Sequence, residues 1–409
     1  MALTKFWVIA YRDLVRNRRR TVLTMLAVAL GMMVLIMMSG MFSGVTQGAL
    51  RENIRLNTGH LQLRAESYEV EKLSLLAKDL LPDSQTLAVQ VQAMPQVESV
   101  APILWMSGIL STSRESAGLQ VTGIDTTAVF HAPIRDGIVG GSYLAPDSRG
   151  QILLGSNLAE EMGIGVGQRV SLAIGTADGG LDEAIFTVAG LFDTGIPSYD
   201  QNTVVMPLAQ AQAFARTGDR ASTLIVMLHN QEDTDSVAAA LQQPGIKVLP
   251  WQELNGIFLE LMQTGLGFYY MIYTIVILVV AVLIANTLLM SVFERTREMG
   301  ILAALGMKGR QIMVMVLFEA MILALAGTAV GFIFGSGIVS WLATVGIDIG
   351  NGAASAVEGM ALGSKMYPVF APGQAFVLAL FLFAIVTLVS LYPARFAAKL
   401  EPVQALHTL

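Results

Sequence analysis

Four stretches of this chain are too long and too apolar to be anything but helices in a lipid bilayer. Thr21–Phe42 carries no charged side chain. At about 1.5 Å rise per residue, a helix of that length covers the roughly 30 Å hydrocarbon core of a membrane. Three more apolar runs follow at Phe268–Phe293, Ile312–Val345 and Pro372–Leu391. Inside hydrocarbon every backbone amide must be paired within its own segment, so helices are expected in all four. The third run exceeds what a bilayer needs, and its outer end is expected to tilt or project. Composition agrees: 54% of residues are hydrophobic and 14% charged, against about a quarter charged in a soluble protein. There is no cysteine, which excludes disulfides, thiolate metal sites and a cysteine nucleophile.

Orientation follows from the basic residues. Lys5, Arg12, Arg16, Arg18, Arg19 and Arg20 precede the first span, Arg295, Arg297, Lys308 and Arg310 lie between the second and third, and Arg395 and Lys399 follow the fourth. In a four-helix arrangement all of these fall on one side, which the positive-inside rule places in the cytoplasm. Gly44–Gly267, with 12 basic against 24 acidic residues, is then outside, and both termini are inside. The Arg18-Arg19-Arg20 cluster before an apolar run also fits a signal peptide. The run is longer than such a segment, however, and Ser39-Gly40-Met41-Phe42 is a poor cleavage site, so an uncleaved anchor is expected. Residues 1–20, with Phe6, Trp7, Ile9, Ala10 and Leu14 set among Lys5, Arg12 and Arg16, read as an amphipathic helix on the inner membrane face.

The outer segment, 44–267, alternates strand-like and helical stretches. Strands are expected at His60–Arg64, Leu119–Ile124, Gln151–Leu154, Val170–Ile174, Ile185–Ala189, Thr203–Met206 and Thr223–Leu228. Helices are expected at Ser156–Met162, with Ser156 as N-cap and Gly163 as C-cap, and at Leu208–Phe214 and Thr234–Gln242. The segment therefore reads as mixed α/β, with residues 132–197 as a β-rich lobe of their own. Its histidines, His60, His131 and His229, have no metal-ligand spacing, and no G-x-S-x-G elbow occurs. Gly163-Ile164-Gly165-Val166-Gly167 has no helix after it and reads as a turn. His60 reads as structural. This pattern indicates binding or transmission rather than catalysis; no catalytic residue, bound cofactor or metal is expected in the chain.

Within the membrane, Gly327, Gly331 and Gly335 share one face of the third helix, where a neighbouring helix can approach closely. Glu319, about two turns inside, has to be paired, protonated or turned to a polar interface; an Arg at the inner surface is one partner, a proton relay the other reading. Asn286 is placed to hydrogen-bond across the bundle. Six methionines, Met25, Met32, Met33, Met37, Met38 and Met41, crowd the first helix as core filler or as a pliable surface for acyl chains.

Between the second and third spans runs Glu294-Arg295-Thr296-Arg297-Glu298-Met299-Gly300-Ile301-Leu302-Ala303-Ala304-Leu305-Gly306-Met307-Lys308. Met299, Leu302 and Leu305 recur at three-residue spacing, and Gly306 and Gly309 are expected to end the helix. Residues 294–311 thus form either a docking element for a soluble partner or an interfacial loop. The wording of this loop resembles that of FtsX/MacB-like permeases of the ABC transporters. So does the C-terminal stretch Tyr392-Pro393-Ala394-Arg395-Phe396-Ala397-Ala398-Lys399-Leu400-Glu401-Pro402-Val403 within 392–409. The one-plus-three layout (21–43, then 268–293, 312–345 and 372–391, with a short outer loop at 346–371) and Leu153–Val170 agree as well.

That resemblance implies an α-helical membrane protein with four transmembrane helices and a mixed α/β extracytoplasmic domain of the MacB-like periplasmic core type. It further implies a bacterial inner-membrane location and a dimeric cytoplasmic ATPase that binds ATP and magnesium and docks on Glu294, Arg295, Arg297, Glu298, Leu302, Leu305, Gly306 and Lys308. No Walker A sequence is present, so the ATPase is expected as a separate polypeptide, unlike MacB exporters. That arrangement, with Asn57-Thr58-Gly59-His60-Leu61-Gln62-Leu63, looks most like lipoprotein-releasing permeases of the Lol kind. A second permease copy or paralogue, a lipoprotein or lipid substrate, and a periplasmic carrier or adaptor are then the implied partners; nucleic acid is not. An efflux permease and an FtsX-like regulator of cell-wall hydrolases are the alternatives, the latter disfavoured by the size of the outer domain.

Overall fold

The chain divides into two units, described here from a computed structural model covering residues 12, 14–16, 18–69, 73–350 and 363–399. The first unit takes in residues up to Val45, Met262–Ile347 and Tyr367 onward; the second takes in Thr46–Leu261 and Asp348–Met366. Most of the amphipathic helix expected over residues 1–20 lies outside the described residues, as do residues 400–409.

The first unit is helical. Its helices are α1 (Arg18–Asn53) and α2 (Gly256–Glu294), of which the last turns of α1 and the first turns of α2 fall in the second unit, α3 (Thr296–Ala304), α4 (Gly309–Val345), α5 (Pro372–Val389) and α6 (Leu391–Ala398). Four helical segments among the described residues are long and apolar enough to cross a membrane. At 36 and 39 residues, α1 and α2 are about 54 and 58 Å long, well beyond the hydropathic runs. Hydropathy locates the lipid-embedded part of a helix and is silent about turns that continue in water. The core is built from one stripe of each long helix: Val28, Met32 and Ile36 of α1, Ile277 and Ile284 of α2, Ala320 and Ala324 of α4, and Leu382 and Val386 of α5.

Close contact between α1 and α4 depends on the three glycines. A Cβ on Gly327 would stand 2.6 Å from the Val28 Cβ, one on Gly331 2.7 Å from the Met32 Cβ, and one on Gly335 3.2 Å from the Met33 Cα. Side chains at these positions would force the helix axes apart. Of the α1 methionines, Met32 is buried in this contact, while Met41 is exposed.

The second unit is built on a mixed ten-stranded sheet. Its strands are β1 (Leu61–Ala65), β2 (Val97–Ser111), β3 (Ser116–Ile124), β4 (Ile138–Gly141), β5 (Gln151–Gly155), β6 (Arg169–Gly175), β7 (Leu181–Phe192), β8 (Thr203–Pro207), β9 (Thr223–Leu228) and β10 (Ile246–Pro250). The order is β10-β1-β9-β2-β3-β8-β5-β7-β4, with β6 paired to β2 and β7. β3 and β8, and β5 and β7, run parallel; the other pairs are antiparallel. Alternating burial along β6 and full burial along β1 and β8 fit strands covered on one face and on both.

Two expectations change. Residues 132–197 are not a lobe of their own, because β5 pairs with β8 and β6 with β2, binding the segment into the common sheet. Ser156 is not the cap of the helix Ser156–Met162: Gly155 is, and it meets the Asp200 carbonyl so closely that no side chain fits there. Gly163 does end that helix, with a left-handed φ of 63°. Gly167 takes φ 82° in the turn that follows.

Candidate functional site: an amphipathic helix and its buried ion pairs

The helix α3 is expected to meet a partner, and the question is which of its residues face outward. Arg295 caps its N-terminus, and Gly306, at φ 95°, breaks the chain just past its end. Gly309 does not end this helix: it opens α4, whose first turn is closed by the Lys308 N–H donating to Gln311 Oε1 at 2.8 Å. Gly309 is needed there because a Cβ would reach the Ala398 carbonyl at the end of α6 at 2.5 Å.

The inward face of α3 joins a core made with Val292 of α2, Ile312 and Val316 of α4, and Ala394 and Ala397 of α6. Met299 is in that core at 2% exposure. The small residues of the Tyr392–Ala398 motif are therefore contact residues, placed where α6 presses on the start of α4. The Met299, Leu302, Leu305 stripe is split: Leu302 is half-buried, and Leu305 is 80% exposed. At 3.6 residues per turn the outward face runs through Arg297, Ile301 and Leu305, four residues apart, rather than along a three-residue spacing. Arg297, Ile301, Leu305, Gly306 and Lys308 are all exposed. Ile301 was missed by the sequence reading, although its i, i+4 relation to Arg297 and Leu305 was there to be read.

Arg295 does not belong to that outer surface. It is 8% exposed and inserted toward Glu319, itself 3% exposed. Glu319 receives Arg20 Nη2 of α1 at 3.2 Å and Arg295 Nη1 at 3.5 Å on its two carboxylate oxygens. Arg20 also reaches Glu294 Oε2 at 3.2 Å, Arg295 Nε reaches Glu298 Oε2 at 3.1 Å, and Arg16 donates to Glu298 Oε1. Glu294, Glu298, Arg295, Arg16, Arg20 and Glu319 thus form one network that ties the start of α1, the end of α2, the start of α3 and the third turn of α4. Two guanidinium groups satisfy the intramembrane carboxylate, which accounts for its burial without a proton relay.

Asn286 stands elsewhere than expected. It is exposed on α2 and makes no hydrogen bond among the described residues, so no cross-bundle bond forms. Polar linkage between spans comes instead from Ser39 and Ser43 of α1, which donate to Gln374 Oε1 of α5 at 3.2 and 3.4 Å.

In the second unit His60 is tied to backbone on both sides of its strand. The His60 Nδ1 accepts the Leu228 N–H at 3.0 Å and its carbonyl accepts the Trp251 N–H, fixing β1 beside its neighbours. Burial pushes His131 down to about 4. Burial also pushes Asp200 up to about 7, against the opposing hydrogen bonds from Thr194 and with help from Asp193. Among the described residues no group of three or more His, Asp or Glu is placed to hold a metal.

Four membrane helices, a large α/β unit in the first loop and an amphipathic helix between the second and third spans define a membrane permease of the ABC type. Two family models match: the MacB-like periplasmic core domain over residues 21–243 and the FtsX-like permease C-terminal over residues 270–402. The chain belongs to the MacB/FtsX-like family of ABC transporter permeases. It is 23% identical to the lipoprotein-releasing system transmembrane protein LolC of Neisseria meningitidis serogroup B, across 94% of this chain and 93% of that one. It is 24% identical to the macrolide export ATP-binding/permease protein MacB of Sodalis glossinidius, across 95% of this chain and 58% of that protein. The crystal structure of the periplasmic region of MacB from Actinobacillus actinomycetemcomitans matches 51% of this chain and 97% of its own, with 14% identity and a TM-score of 0.35.

Proposed function

We propose that this permease works with a separate dimeric ATPase, which binds ATP and magnesium, and that it extracts lipoproteins or lipids from the outer leaflet of a bacterial inner membrane. In this reading both termini are cytoplasmic, the chain pairs with a second copy or a paralogue, and cargo passes to a periplasmic carrier. The ATPase docks on the outward face of α3, and its motion reaches α1, α2 and α4 through the buried network around Glu319. The observation that carries the reading is that α3 is pinned on one face by ion pairs and apolar packing while Ile301 and Leu305 stand bare to solvent. The choice of lipoprotein cargo rests on the end-to-end match to a lipoprotein-releasing relative.

Depletion of the protein followed by membrane fractionation tests the cargo. Lipoproteins should accumulate in the inner membrane; unchanged partitioning refutes the extraction reading. The periplasmic-core match favours macrolide-type efflux as the second reading, for which depletion should lower drug tolerance and leave lipoproteins in place.

A further inference from the structure

In the second unit the loop Asp193–Ile196 carries the chain from β7 into the helix Pro197–Asn202. Two carboxylates hold it by successive amides. Asp200 accepts the Thr194 N–H at 3.0 Å on Oδ2 and the Thr194 hydroxyl at 2.8 Å on Oδ1. Asp193 Oδ1 accepts the N–H of Gly195, a residue that takes φ 80°. Asp200 has no exposed surface, whereas Asp193 is exposed. The two carboxyl groups are also in hydrogen-bond contact with each other.

The other side of the loop is a junction within the same unit. The Gly195 carbonyl accepts the Ser364 N–H at 3.2 Å, and a Cβ on Gly363 would lie 3.7 Å from Ile196 Cδ1. Ile196, 2% exposed, packs on Leu56 in the turn Ile54–Thr58 that follows α1. One short loop therefore fastens the sheet both to the chain that leaves α1 and to the chain that leads into α5.

Carboxyl groups in contact repel when both are ionised and bind when they share a proton. Burial pushes Asp200 up to about 7 against the Thr194 bonds, and the Asp193 charge adds to the shift. The ionisable groups of the surrounding elements are engaged or turned away. Glu161 of the Ser156–Met162 helix accepts from Gln201 Nε2 at 2.8 Å, Arg55 beside Leu56 pairs with Glu52 at 3.7 Å, and Lys365 is exposed. Burial holds the Tyr143 and Tyr199 hydroxyls protonated.

We infer that Asp193 and Asp200 form a proton-operated clasp, closed on Ser364 and Leu56 while the pair shares a proton and released when both carboxyls ionise. Asp193 is the member that leaves, because it is exposed while Asp200 is enclosed and held by Thr194. As it turns to solvent, the Gly195 N–H loses its acceptor, and the Gly195 carbonyl loses its fixed direction toward Ser364.

Because the chain has no cysteine, spin labels on Glu160→Cys and Lys365→Cys, both exposed, report the clasp by double electron–electron resonance on the purified full chain in EDTA. A single narrow distance is expected at pH 5.5. A second, broader population should appear as pH rises past 7, the closed-to-open ratio then falling about tenfold per pH unit, the slope of one proton. Asp200→Asn gives Asp193 a permanent donor and Asp193→Asn gives one to Asp200, so each should keep the narrow distance up to pH 9. Distances in the otherwise unmutated chain that do not change from pH 5.5 to 9 overturn the proposal. A pH response that survives in Asp200→Asn overturns it too, by placing the titrating group elsewhere. So does a narrow distance that requires added calcium at pH 5.5, which would make the pair a cation site.

Discussion

Glu319 is the residue whose meaning depends most on its surroundings. A lone carboxylate in an apolar helix invites a proton-relay reading, yet here it holds Arg20 and Arg295 together from different parts of the chain. Removing one member of a buried pair strands the other, at a cost of about 3–5 kcal/mol. Glu319→Leu should therefore lower the thermal unfolding midpoint of the purified protein sharply. Adding Arg295→Met should recover part of that loss, since the stranded cation is gone; a strictly additive double variant would count against the pairing. Asp200 provides a second test at this scale. Its folded-state pKa of about 7 lies above the ordinary carboxylate value, so the folded state binds the proton more tightly. Stability from this group is full below about pH 4 and is lost as pH rises toward 7. His131, held neutral by burial, contributes the opposite slope below about pH 6.5. The gap between Asp200→Asn and the unmutated protein isolates the aspartate: it should widen in favour of the variant from pH 4 to pH 8, as measured by thermal unfolding.

At the scale of elements, α3 is the part whose two faces do different things. One face is closed by Met299 and the Ala394–Ala397 side of α6, the other is left open by Ile301 and Leu305. Ile301→Asp and Leu305→Asp should fold normally, since both positions are exposed, and should abolish co-purification with the ATPase; retained binding would remove α3 as the dock. Much of the element pattern was legible in the sequence, because alternation and helical periodicity record which side of an element is buried. Thr223–Leu228 and Ser156–Met162 appear in the structure with the expected bounds. The 15-residue β2 strand was not foreseen. It contains Pro102 and Gly108, which ordinarily interrupt a strand, but Pro102 is tolerated opposite Leu224, and Gly108 admits the Ala173 carbonyl of β6 at 3.2 Å from where a Cβ would stand. Such exceptions come from the neighbouring strands, which a local pattern does not contain.

For the whole molecule, the testable statement is sidedness. With no native cysteine, single Leu305→Cys and Gly218→Cys variants report cleanly. In intact cells whose outer layer is permeabilised, a membrane-impermeant maleimide should label position 218 and spare position 305. The reverse pattern would invert the topology read from the arginines.

The sequence by itself determined the four spans and the mixed character of the large loop, and set the expectation of their direction, because lipid solvation and charge placement act on each segment separately. It also carried the family, through short motifs with fixed spacing to the spans. What only the tertiary structure decided is where polar groups in and near the membrane find their partners. Arg295 turned inward to Glu319, Asn286 turned outward, and Gly309 opened a helix. Each outcome depends on residues hundreds of positions away or on a neighbouring helix surface, and no periodicity along one segment records that distance.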